Sequence, residues 1–147
     1  MRYRLLTSTM VLLLAPLWVT AGQAPATRVR ASELSQSPFI VDSIKLTFTK
    51  FNKDGLLGFG HGSIELRVEN MSSAFTTFSP QRLSLVGSDN EQANILGVPV
   101  GNDNIIPAEE RKLAPFARMK EYYGLTAKVQ LPARLYYDEK LIGFIAD

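Results

Sequence analysis

Two stretches of strict alternation constrain the fold most. In "SIKLTFTKF" (residues 43–51), Ile44, Leu46 and Phe48 alternate with Lys45, Thr47 and Thr49. In "SIELRVEN" (residues 63–70), Ile64, Leu66 and Val68 alternate with Glu65, Arg67 and Glu69. Successive side chains on a strand point to opposite faces, so this period describes strands with one buried face. "GLTAKVQL" (residues 124–131) repeats the pattern with Leu125, Ala127, Val129 and Leu131. "ARLYYDEKLIGFIAD" reads as two short strands about Asp138-Glu139. "AFTTFSPQRLSLV" gives an apolar piece, a Ser79-Pro80 break and a further strand. "QANILGVPV" is a weaker strand that Pro99 pushes to an edge, and Pro115 marks another edge in "RKLAPF". "GNDNIIPAEE" reads as loop, and "RMKEYYG" as the one helical turn. Seven or eight short strands with little helix describe an all-β sandwich or barrel.

The first residues belong to a different kind of segment. "MRYR" is basic, "LLTSTMVLLLAPLWVTA" is apolar, and the run ends in small residues, the layout of a secretory signal. Cleavage is expected after Ala21. The rival reading is a retained membrane anchor, but Leu5 to Val19 falls short of the ~20 apolar residues that a span needs. "GQAPATRVRASELSQSP" is polar and proline-bearing, which predicts a flexible linker. The expected organisation is therefore a signal over residues 1–21, a linker over 22–38 and one β-domain over 39–147. The address that follows is exported, periplasmic or secreted, with no stable membrane span after cleavage.

Charge and cysteine content narrow the function classes. The chain carries 16 Lys+Arg and 14 Asp+Glu, and removal of Arg2 and Arg4 with the signal leaves 14 of each. A neutral chain with interspersed signs has no electrostatic footprint for nucleic acid. Cysteine is absent, which removes disulfides, thiol catalysis and thiolate metal sites. A domain of this length buries about two thirds of its surface without such staples.

Four pieces resemble exported bacterial immunoglobulin-like domains of unknown function: "RVENMSS" (67–73), "LSLVGSDNEQ" (83–92), "IIPAEERKLAPF" (105–116) and "RLYYDEKLIGFI" (134–145). They cover most of the chain beyond the signal. One loop reads Pro-Ala-Glu where that group often has Pro-Gly-Glu. The resemblance implies an immunoglobulin-like β-sandwich of about seven to eight antiparallel strands and an exported location. It carries no catalytic residues across.

"GLLGFGHGS" (residues 55–63) has the glycine density of a phosphate loop, but a strand follows it where a helix N-terminus is required. "FNKDG" begins like a calcium loop, yet Lys50 and His61 fall where carboxylates must stand. His61 is the only histidine. With Met71 as a soft ligand it supports an alternative reading, a periplasmic copper carrier. A hydrolase of unrecognised type is the second alternative, and no G-x-S-x-G elbow is present. Glu65 and Glu69 share a strand face about 13 Å apart, too far for a glycosidase pair. Asn70-Met71-Ser72 is a glycosylation sequon. No cofactor is expected. The reading that remains is a non-enzymatic exported binding or protein-interaction module with a protein partner in the cell envelope. Its expected contact surface is Leu56, Leu57 and Phe59 with the outward rings of two tyrosine doublets, Tyr123 and Tyr137.

Overall fold

A computed structural model describes residues 25–53, 61–101 and 104–147. Among them the chain is all-β. Twelve strands run in order: β1 (Thr27–Arg30), β2 (Phe39–Val41), β3 (Ile44–Asn52), β4 (Ser63–Asn70), β5 (Thr76–Phe78), β6 (Leu83–Val86), β7 (Gln92–Val100), β8 (Asn104–Ile106), β9 (Arg111–Leu113), β10 (Arg118–Leu125), β11 (Ala133–Tyr137) and β12 (Lys140–Ala146). Two three-residue 3₁₀ turns, Ala31–Glu33 and Pro80–Arg82, complete the regular structure described.

Ten strands form one sheet in the order β1-β12-β11-β6-β7-β10-β4-β3-β2, with β8 paired to β7, while β5 and β9 form a separate ribbon. The long β7 joins the two halves. Its residues 92–94 pair with β6, Ile95 and Gly97 pair with β10, and residues 98–100 pair with β8. The sheet curls until its last strand, β2, packs against β12, so it nearly closes into a barrel. At that seam a Cβ on Gly143 would fall inside the Phe39 ring. The missing side chain lets the two ends of the sheet approach.

The interior is filled by the predicted alternating positions. Ile44, Leu46 and Phe48 of β3, and Ile64, Leu66 and Val68 of β4, are all buried. Phe39 meets Phe48 edge-on at 5.7 Å between centroids. Each such side chain contributes about 1.5–3 kcal/mol when fully buried. The terminal hairpin also forms as expected. Asp138 and Glu139 both take positive φ (51° and 66°), the conformation that a two-residue turn needs to match the strand twist.

Several expectations are corrected. Within the 22–38 stretch read as a linker, β1 pairs in parallel with β12, and Val29 and Leu34 are buried at 3% exposure each. The polar composition hid two apolar anchors. "RMKEYYG" is not a helical turn but most of β10, with Met119, Glu121 and Tyr123 on one face and Arg118, Lys120 and Tyr122 on the other. "GLTAKVQL" keeps its alternation, with Ala127 and Val129 buried, yet beyond Leu125 it joins no ladder. It makes single bonds instead, such as Thr126 N–H to Asn94 O (2.9 Å) and Val129 N–H to Lys53 O (3.1 Å). "GNDNIIPAEE" contains the short β8. Pro99 does not send β7 to an edge, because it sits in the β8-paired end of a central strand.

Candidate functional site

Leu56, Leu57 and Phe59 lie outside the described residues. Tyr123 and Tyr137 were expected to point outward, and the structure places both in the core, at 0% and 5% exposure. Tyr122 and Tyr136 are the partly exposed members of the doublets. Tyr137 stacks on Phe78 at 5.8 Å, and its hydroxyl oxygen accepts the Ser79 N–H at 3.0 Å. Tyr123 donates to the Glu121 carboxylate at 2.8 Å, and Arg111 donates to the other oxygen of Glu121 at 2.9 Å. Burial, then Glu121, pushes the Tyr123 hydroxyl far above its ordinary range. Burial is also the largest cause of the raised Tyr137 pKa.

His61 and Met71 flank β4 at opposite ends, so eight strand residues separate them by about 25–30 Å. One ion cannot bridge them within a single chain. His61 is exposed and lines a shallow hollow with Asp89, Glu91 and Lys128. Among the described residues no group of three or more His, Asp or Glu is placed to hold a metal.

A site that the sequence did not announce lies at the end of β4. Asn70 is 2% exposed. Its amide donates to Ala74 O (2.7 Å), Ala114 O (3.0 Å) and Leu113 O (3.3 Å), and its carbonyl oxygen accepts from the Ser72 N–H (3.0 Å) and hydroxyl (2.8 Å). This one side chain ties the loop of residues 71–75 to the loop of residues 114–117. Phe116 N–H bonds Ser72 O at 3.2 Å, and Asn70 N–H bonds Ala117 O at 2.9 Å. The two loops so fixed carry Met71, Phe75 and Phe116 into solvent, at 42%, 63% and 70% exposure. Phe116 has φ +57°, a costly conformation for a bulky side chain. Lys112 sits 5.2 Å from the Phe75 ring centre. The sequon asparagine is thus the knot of this tip, with its nitrogen enclosed.

The two outer sheet faces differ in charge. On the β3–β4–β10 face, Glu69 pairs with Lys45 (3.1 Å), and Glu65 pairs with Lys120 (3.0 Å) and Lys50 (3.8 Å). The Lys120 contact, then the Thr49 hydroxyl at 2.8 Å, holds the Glu65 carboxyl below its usual pKa. These carboxylates and lysines neutralise one another on that face. On the β7–β6–β11–β12–β1 face, register aligns Gln92, Val86, Arg134, Phe144 and Arg28 in one row and Asn94, Ser84, Tyr136 and Leu141 in the next. Neither row contains an acid.

No protein-family model matches this chain, and no curated protein or solved structure is significantly similar to it. Among the described residues no helix is long and apolar enough to cross a membrane.

Proposed function

We propose that this chain is an exported, non-enzymatic protein-interaction module whose contact surface is the tip carrying Met71, Phe75 and Phe116. Phe116 carries the reading. A large ring stands 70% exposed on backbone at φ +57°, held there by the Ser72 carbonyl and, through it, by buried Asn70. Exposed aromatics carried on a loop whose backbone is already hydrogen-bonded suit an interface centre, because that backbone need not be ordered on binding. The two least exposed ion-paired carboxylates are held by their neighbours: Glu121 by Tyr123 and Arg111, Glu65 by Lys50 and Lys120.

The immunoglobulin-like relationship and the export signal are part of the same reading. The terminal hairpin and the end of β4 fall where the resembling motifs lie. A cut after Ala21 leaves β1, which begins at Thr27, intact. A photo-crosslinking residue placed at position 116 of the full chain in cells tests the contact surface. A discrete adduct is expected there, absent from the same probe at Ser88 and lost with Phe75→Ser. Equal labelling at 116 and 88, or none at either, overturns the proposal. Intact mass of the recovered protein tests export, with Gly22 expected as the first residue.

A further inference from the structure

The sheet face whose two register rows carry no acid has its own chemistry. Two adjoining depressions, of about 680 and 610 Å³, meet there at Arg134. Arg134 stands directly across from Phe144, and Phe144 directly across from Arg28. The Arg28 guanidinium lies over the Phe144 ring, 5.6 Å from its centre. Arg134 spends one N–H on the Asn90 side chain at 2.9 Å. A guanidinium carries five N–H donors, so each arginine is oriented by one contact and keeps donors for a ligand. Neither forms an ion pair with the described acids, whereas the opposite outer face is laced with ion pairs. The acids of the two depressions stand off the rows: Asp138, engaged by Arg82 at 3.6 Å, and Glu139 lie at the β11–β12 turn, and Asp147 lies beyond the end of β12.

The neutral members of the face complete the pattern. Gln92 donates to the Asn94 side-chain oxygen at 2.8 Å. That bond leaves the Gln92 carbonyl as an acceptor beside the Asn94 amide as a donor. The Tyr136 ring lies two residues along β11 from Arg134, on the same face. The row from Gln92 to Arg28 crosses five strands, roughly 19 Å at about 4.8 Å per strand. Flat rings, paired amides, a serine hydroxyl and two oriented guanidiniums suit a ligand with hydroxyl-bearing rings and carboxylates. A peptide added as a strand would run along β1, the terminal strand of the sheet, whereas these rows run across five strands and present side chains from each.

We propose that this face binds an acidic oligosaccharide, with Arg134 and Arg28 gripping uronate carboxylates while Tyr136 and Phe144 lie against the sugar rings. Charge-assisted, forked hydrogen bonds from arginine to carboxylate supply the strongest contacts.

Titration calorimetry of the full chain with tetragalacturonate tests it, with the methyl-esterified tetrasaccharide and pentaglutamate as controls. Binding to the free acid is expected, weakened at least about tenfold by Arg134→Gln, by Tyr136→Ala or by esterification, and reduced by salt. Arg67→Gln, on the self-neutralised face, is expected to leave it unchanged. Unaltered melting temperatures for Arg134→Gln and Arg28→Gln separate lost contact from lost fold. Equal binding of the ester, equal binding of pentaglutamate, or no binding of the acid at millimolar concentration overturns the proposal.

Discussion

Tyr123 donates its hydroxyl proton to Glu121 from two residues away on the same strand face, 2.8 Å from oxygen to oxygen. Arg111 reaches in from β9 to the other carboxylate oxygen. A charged residue thereby sits on the inner side of β10, and the short β5–β9 ribbon is clamped to the sheet. Tyr123→Phe removes the donor and leaves a half-buried carboxylate oxygen without it. A loss of about 1–3 kcal/mol in urea unfolding is expected. A midpoint equal to that of the parent protein would refute the clamp.

The same burial makes the fold sensitive to alkali. Tyr123 and Tyr137 both have pKa values raised above the ordinary 10.0. Below that pH both are neutral in folded and unfolded chains, and their contribution is complete. Above it the unfolded chain loses these protons while the folded one keeps them, so stability falls as pH rises. Tyr123 and Tyr137 are expected to ionise in ultraviolet absorbance only as the protein unfolds. A single smooth titration without loss of near-ultraviolet dichroism would contradict this.

Glu65 gives the opposite sign at the acid end. Lys120 and Thr49 hold its pKa below the ordinary 4.5, so its contribution is present above that value and disappears as pH falls through the folded-state pKa. Glu65→Gln is expected to cost about 0.5–1 kcal/mol at pH 7, the scale of exposed ion pairs, and much less at pH 3. An equal deficit at both pH values would show that the ion pairs do not cause it.

The seam offers a steric test. A Cβ at Gly143 meets the Phe39 ring on one side and lies 3.0 Å from the Thr27 carbonyl on the other. Gly143→Ala is expected to destabilise by about 1–3 kcal/mol through overpacking. Phe39→Leu should return part of that loss in a double-mutant cycle, since the two positions share one space. Strict additivity would mean that β2 and β12 do not meet as described.

What could be read in the sequence follows from how much each element relies on its own period. β3 and β4 were legible because Ile44, Leu46 and Phe48, and Ile64, Leu66 and Val68, fill successive inward positions before Asn70 ends the run. β10 was not, because Glu121 occupies an inward position and its neutralising partner, Arg111, is distant in sequence. β1 was missed because two anchors, Val29 and Leu34, are too few to make a period. The tyrosine doublets show the same limit. Alternation says that one ring of each points outward, but only cross-strand register decides which. The tip was invisible for another reason. Asn70 joins loops more than forty residues apart, and no local pattern marks such a knot.

That knot yields the sharpest prediction. The Asn70 amide serves three carbonyls, and its own carbonyl oxygen fixes Ser72. Asn70→Ala strands those buried groups and is expected to cost about 2–4 kcal/mol. Asn70→Asp keeps the acceptor but places a carboxylate against three carbonyl oxygens, so it should be at least as harmful at pH 7. In both variants, amide exchange should speed up at residues 71–75 and 114–117, the Phe116 N–H included. Because the nitrogen is enclosed, folded protein should carry no glycan at this sequon, even when expressed where such acceptors are modified. Ser72→Ala separates the two roles. It abolishes the sequon and removes the hydroxyl's contacts to Asn70 and to the Ala74 backbone, yet leaves all three amide bonds, so its cost should be the smaller. If Asn70→Ala unfolds at the parent midpoint, or a glycan is found on the folded chain, the knot is not what holds the tip.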